Sequence, residues 1–227
     1  MIFVTAEIGA NWLGDYELLE FLVIACKKAN INAIKLQSLT PEIISRHPEL
    51  TYYESASVSP DNIEEIDKIC KTHNLEWYCT PTHPDHIEFL DPYVNRFKIR
   101  EKDNQNKELC DKVFATGKRV IISSQKPLKY NDERIKNLYC IPRYPTQFEE
   151  HNFNLMQKFD GFSNHCLNPL VMLKAVMLGA KYLEFHLTPT KDIFTLDNHV
   201  SYTIEQFIEV NRWISVWNAK FVKVPSC

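Results

Sequence analysis

Two histidines close two short apolar runs in this sequence, His165 in GFSNH and His186 in LEFHLT, 21 positions apart with a helix-like stretch between them. If the two runs are neighbouring parallel strands, ~5 Å apart, both imidazoles can reach one metal ion, whose bonds run ~2.0–2.3 Å. Two protein ligands leave positions open for water and substrate, which is the arrangement of a catalytic metal. The other reading is a pair of hydrogen-bonded structural histidines. Lys35 in NAIKLQ and Lys98 in NRFKIR also end β-rich runs. Inward lysines either pair with buried acids such as Glu7 or bind an anionic ligand. A Schiff-base role needs a desolvated amine and leaves an aldolase open. Asp197 and Ser201, in LDNHVSY, suit a helix N-cap region or substrate contacts, and His199 reads as a loop residue.

The elements that must position these groups alternate. Eight β-rich segments recur: IFVTAEIG, NAIKLQ, EWYCTPT, NRFKIR, KRVIISS, NLYCIPR, DGFSNH and KYLEFHLT. Helical patterns lie between them. SPDNIEEIDKICKTHN predicts a helix with Ser59 as N-cap, Pro60 at its first position and Ile63, Ile66, Ile69 and Cys70 on one face. TIEQFIEVNRWISVW places Ile204, Phe207, Ile208, Ile214 and Trp217 likewise. Strands alternating with helices imply parallel pairing, because a parallel pair needs a crossover. Eight such units predict a single (β/α)8 TIM barrel over residues 1–227. The competing doubly wound sheet would carry a GxGxxG turn after the first strand, and the chain has only five glycines and no such turn.

Barrel chemistry sits at the C-terminal ends of the strands. There the sequence offers Glu7 and Asn11, Lys35 and Gln37, Thr80, then Lys98 with Arg100 and Glu101. Ser123 and Ser124, Arg143 and Tyr144, Ser163 and His165, and Glu184 and His186 complete the ring. The stretch Ser38–Pro60 is long for a connecting loop and is a candidate lid.

Composition narrows the partners. The net charge of −3, with scattered lysines and arginines, gives no electrostatic footprint for nucleic acid or an anionic membrane. The opening MIFVTAEIGANWLGD lacks the basic and apolar regions of a secretion signal. No apolar run approaches the ~20 residues that span a bilayer. Seven cysteines without CxxC spacing read as buried hydrophobes in a reducing compartment, so a cytoplasmic protein is expected.

AEIGANWLGD resembles the opening of the sialic acid synthases, the family of N-acetylneuraminate, legionaminate and pseudaminate synthases and a spore-coat polysaccharide protein. The resemblance continues in order through AIKLQ, CTPTHPD, FKI with a later Asn106, YPT, GFSNH, AVMLGAKYLEFHLT and LDNHVS. It implies a barrel that condenses phosphoenolpyruvate with the aldehyde of an open-chain N-acylated sugar, yielding a 2-keto sugar acid and phosphate. The ion, Mn2+ in the family, would sit on His165 and His186 and act as a Lewis acid. By the same resemblance Lys35, Thr80, Lys98, Tyr144 and Ser163 surround phosphoenolpyruvate, with Gln37 beside them, and Glu7 and Asp197 face the sugar. The candidate catalytic groups are thus Glu7, Lys35, Lys98 and Tyr144. Candidate substrate contacts are Gln37, Thr80, Arg100, Glu101, Ser124, Arg143, Ser163 and Asp197. Family analogy also suggests a homodimer. A donor other than phosphoenolpyruvate, such as a 2-keto acid in an aldolase-like reaction, and a non-catalytic sugar-acid-binding or partner-binding relative are the alternatives.

The departures bear on the donor. Where the family reads KIGSGE the chain reads KIREKD, so Glu101 replaces a serine that holds the phosphate. A carboxylate ~4 Å from a phosphate costs about 4 kcal/mol at a surface-like effective dielectric. Pro142 stands for a polar residue, Trp12 for His, Asn164 for Asp and Asn198 for His. The family's C-terminal antifreeze-like domain is not expected within these 227 residues. Arg100 and Arg143 are new at the rim, and the expectation is that one of them neutralises Glu101 or grips a carboxylate.

Overall fold

In the computed structural model, which describes residues 2–221, eight parallel strands close into a ring. The chain runs β1 (Phe3–Gly9), α1 (Tyr16–Lys28), β2 (Ala33–Ser38), α2 (Pro41–Ile44), α3 (Leu50–Ala56), α4 (Ile63–Thr72) and β3 (Glu76–Pro81). It continues through α5 (His86–Leu90), β4 (Arg96–Ile99), α6 (Lys107–Ala115), β5 (Arg119–Ser124), β6 (Ile135–Cys140), α7 (Phe153–Met156) and β7 (Gly161–Asn164). α8 (Leu170–Met177), β8 (Tyr182–Thr188), a two-residue β9 (Tyr202–Thr203) and α9 (Ile204–Phe221) finish it. Each strand pairs with the next in sequence, and β8 returns to β1 with Glu7 opposite His186. This is the expected (β/α)8 barrel. Its strands are apolar on their outward side because helices cover that face.

The side-chain period of two decides what faces the axis. Glu7 lies opposite Lys35, Lys35 opposite Tyr78, and Ser163 opposite Glu184. One polar layer therefore rings the barrel near its C-terminal end. Tyr78 is fully buried and donates to Thr5 Oγ1 at 2.9 Å. Arg96, paired with Glu76 at 2.6 Å, lies 4.1 Å from the centre of the Phe3 ring.

Three local readings are corrected. No helix separates β5 from β6: the ten residues QKPLKYNDER carry a proline and almost no apolar periodicity, and run as an irregular loop. α4 begins at Ile63 rather than Pro60, because Asn62 accepts from the Ser59 amide and donates to the Ser57 carbonyl, closing a turn first. Its apolar face, Ile63, Ile66, Ile69 and Cys70, is buried as expected. On α9, Phe207 and Ile214 are buried but Ile208 is exposed, and Asn211 takes a buried place by donating to the Ala29 carbonyl at 2.7 Å. Six cysteines are free and buried, while Cys227 lies outside the described residues.

The lid segment is pinned at both ends. Ser38 Oγ donates to the Val58 carbonyl at 2.7 Å, and the Leu39 amide donates to Ser57 Oγ at 2.8 Å. Trp12, fully buried, donates its indole N–H to the Ala56 carbonyl at 3.0 Å. The tryptophan that departs from the family pattern thus supports the lid.

Gly161 is where backbone packing is tightest. A Cβ there would lie 2.0 Å from the Tyr182 carbonyl oxygen, on the neighbouring strand. Gly161→Ala should cost about 3 kcal/mol or more in urea unfolding. Gly179→Ala, at φ +96° in open space, should cost only the left-handed strain of about 1–2 kcal/mol. Equal effects would contradict this packing.

Candidate active site

A cavity of about 650 Å3 opens at the C-terminal ends of the strands. Its wall holds Glu7, Lys35, Gln37, Lys98, Ser123, Cys140, Ser163, His165, Glu184 and His186 from the barrel. The lid adds Ile43, His47, Glu49 and Tyr53, and the loop after β8 adds Leu196, Asp197 and His199. Tyr52 of the lid meets Phe194 of that loop with ring centres 5.3 Å apart.

Glu184 organises the floor. Its Oε1 accepts from Lys98 Nζ at 2.7 Å and Ser163 Oγ at 3.0 Å, and lies 3.7 Å from Lys35 Nζ. Its Oε2 lies 3.4 Å from the Tyr78 hydroxyl. Lys35 Nζ also meets Glu7 Oε2 at 3.0 Å and donates to Thr80 Oγ1 at 3.1 Å, and Gln37 donates to Glu7 Oε1 at 2.6 Å. Burial opposes the Glu184 charge, but the two lysines and the bonds from Lys98 and Ser163 outweigh it and hold its pKa below the usual carboxylate range. The lysines diverge. Burial lowers the pKa of both, yet Lys35 lies between Glu184 and Glu7 and ends up raised. Lys98 has one acid and faces Lys35, so burial wins and its pKa is lowered.

The histidines stand beside this group. His165 and His186 ring centres are 5.5 Å apart, and Tyr144 stacks on His165 at 4.0 Å while meeting His186 edge-on at 5.5 Å. His165 Nδ1 lies 2.8 Å from the Ile141 carbonyl, so Nδ1 carries the proton and Nε2 keeps its lone pair. Burial, aided by His186, pushes its pKa down to about 3. His186 Nδ1 is 3.4 Å from Asp197 Oδ2 and makes no hydrogen bond among the described residues. Burial opposes the Asp197 charge, but His186 holds its pKa low. A neutral His165, oriented by the Ile141 carbonyl, fits a divalent ion as a ligand, with the His186 ring beside it. Among the described residues no group of three or more His, Cys, Asp or Glu forms a ready cluster, so the pair would leave most positions to water and substrate.

The predicted residues divide. Glu7, Lys35, Gln37, Lys98, Arg100, Glu101, Tyr144, Ser163, Asp197, His165 and His186 all line the cavity. Thr80 lies just behind, fully buried under Lys35. Ser124 does not join them: one position off in the strand alternation, it donates to the Lys126 carbonyl and accepts from Asn137 at 2.7 Å. Ser123 takes the inward place, 2% exposed and with no hydrogen-bond partner for its hydroxyl among the described residues. Arg143 turns outward to Glu150, and Arg100 is tied to Asp103. Neither pairs with Glu101, which accepts instead from Gln125 at 2.6 Å. Glu184, named in the sequence only as a strand end, is the hub, and His199, read as a loop residue, lines the cavity. For Glu184 the two-residue spacing to His186 was the available signal.

Fold and site define a (β/α)8 barrel with a deep, charged pocket at its C-terminal end. A sequence model of the NeuB family matches residues 22–221. An uncharacterized protein of Methanocaldococcus jannaschii is 32% identical over 92% of this chain and 68% of its own length. This chain belongs to the NeuB family. A pseudaminic acid synthase of Campylobacter jejuni is 26% identical over 91% of this chain and 71% of its own. The N-acetylneuraminic acid synthetase of Leptospira borgpetersenii superposes with a TM-score of 0.84 at 21% identity, over 100% of this chain and 88% of the other. No helix among the described residues is long and apolar enough to cross a membrane.

Glu184→Gln removes the anion two buried lysines share. It should cost about 3–5 kcal/mol at pH 7 in urea unfolding. A carboxylate with a depressed folded pKa stabilises above its unfolded value of 4.5, and that stability is lost as pH falls below it. The variant should therefore lose part of the wild-type decline in stability below pH 4.5, and an unchanged acid limb would contradict the assignment.

Proposed function

We propose that this barrel condenses phosphoenolpyruvate with the aldehyde of an N-acylated sugar, giving a 2-keto sugar acid and inorganic phosphate. The observation that carries it is the floor of the cavity: two buried lysines on either side of Glu184, next to the imidazole pair. Family membership supports the same reaction class. Lys35 and Lys98 offer positive charge to a small dianion from a site that excludes water, where such charge acts strongly. Ser163 and the unpartnered Ser123 hydroxyl offer hydrogen bonds to its oxygens. The methylene carbon of the donor bonds to the aldehyde carbon, the aldehyde oxygen takes a proton, water adds to the donor's second carbon, and phosphate leaves. Glu7, bonded to Lys35 and Gln37, and Asp197, beside His186, are placed to orient acceptor hydroxyls and to exchange protons. A divalent ion on His165 and His186, Mn2+ in our reading, would polarise the aldehyde.

A second reading is an aldolase-like reaction on a 2-keto acid. It is favoured by Lys98, whose buried amine has a lowered pKa, as a Schiff-base lysine needs. Borohydride reduction in the presence of pyruvate would then leave a covalent adduct on Lys98.

Calorimetric titration of phosphoenolpyruvate into the manganese-loaded protein should show micromolar binding that is lost in Lys98→Ala. Absence of binding in the loaded wild type would contradict the proposal. Manganese binding itself, read by electron paramagnetic resonance, should weaken at least tenfold in His165→Ala and in His186→Ala, and unchanged binding in both would remove the ion from these residues.

A further inference from the structure

The cations on the cavity wall are not equivalent. Lys35 is held by Glu7 at 3.0 Å, Lys98 by Glu184 at 2.7 Å, and Arg100 by Asp103. Lys102, which also lines the cavity, has no carboxylate partner among the described residues. Charges acting on it are Arg100, Asp103 and Arg46 of the lid, and Asp103 is already committed to Arg100. In this corner Lys102 and the two arginines outnumber the carboxylates of Asp103 and Glu101.

A second feature lies on the same wall. The Ser123 hydroxyl, 2% exposed, has no partner, and Asn104 of the Lys102 loop donates to the Ser123 carbonyl at 3.0 Å. The unpaired cation and the orphan hydroxyl thus belong to the ends of β4 and β5. In an eight-strand ring β4 stands across from β8, which carries His186, and β5 across from β1. A donor whose methylene carbon points toward an acceptor at His186 turns its second carbon, with the carboxylate and phosphate that carbon bears, toward β4 and β5.

We infer that Lys102 binds the phosphate of the donor and offsets the carboxylate of Glu101, a specificity role resting on the phosphoenolpyruvate reading above. Arg100 and Arg143 cannot take that part, since Asp103 and Glu150 occupy them. Lys102 sits at the cavity mouth on a 3-10 turn, Glu101–Asp103, and is exposed, so its replacement leaves the fold intact.

The test is calorimetric titration of phosphoenolpyruvate into manganese-loaded wild type, Lys102→Met and Lys102→Arg, with pyruvate as the probe that lacks phosphate. Lys102→Met should weaken phosphoenolpyruvate about tenfold or more, leave pyruvate unchanged, and be largely rescued by Lys102→Arg. Wild-type affinity in Lys102→Met, or an equal loss for pyruvate, would overturn the role of Lys102 while leaving the reaction standing. A wild-type protein that binds no phosphoenolpyruvate would overturn the reaction, and this role with it.

Discussion

The ionised Glu184 carboxylate is the constraint on which the rest of the structure depends. Two lysines in the centre of a barrel are strongly destabilising unless their charge is met, because desolvation costs several kcal/mol per ion. Glu184 meets Lys98 directly and Lys35 at longer range, and Glu7 completes the balance. Lys98 has that one short contact to set against its burial. The polar floor is therefore a stability problem that the fold has solved without using up every donor. The unspent groups, Ser123 and Lys102 on one side and the imidazole pair on the other, face the cavity.

Strand register makes this balance possible. The β1–β8 closure sets Glu7 beside His186, and β7–β8 pairing sets Ser163 beside Glu184. A one-residue slip in either pairing would turn these groups into the helix layer. Gly161 explains part of the precision, since β7 approaches β8 too closely there for any side chain. The lid, tied through Trp12, Ser38 and Ser57, fixes the outer wall of the same cavity.

Most of this was legible in the sequence because the polar strand ends recur at one end of an otherwise apolar pattern. All eight strands and the inward lysines, acids and histidines could be placed that way. What was not legible depended on parity and on local competition. Ser123 and Ser124 are indistinguishable until the register of β5 is known. Arg100 and Arg143 looked free, yet Asp103 and Glu150, three and seven positions on, claim them. The loop QKPLKYNDER in place of a helix follows from the ring closing without one, which no local pattern announces.

The central claim is that the Glu184-centred floor serves carbon–carbon bond formation with loss of phosphate. It is tested most directly with phosphoenolpyruvate carrying 18O at its bridging oxygen, incubated with manganese, the protein and a panel of N-acylated hexosamines. The account predicts phosphate release that requires an acceptor, one 2-keto acid per phosphate, and the label in the phosphate. Release at the same rate without any acceptor, or label retained in the keto acid, would contradict it.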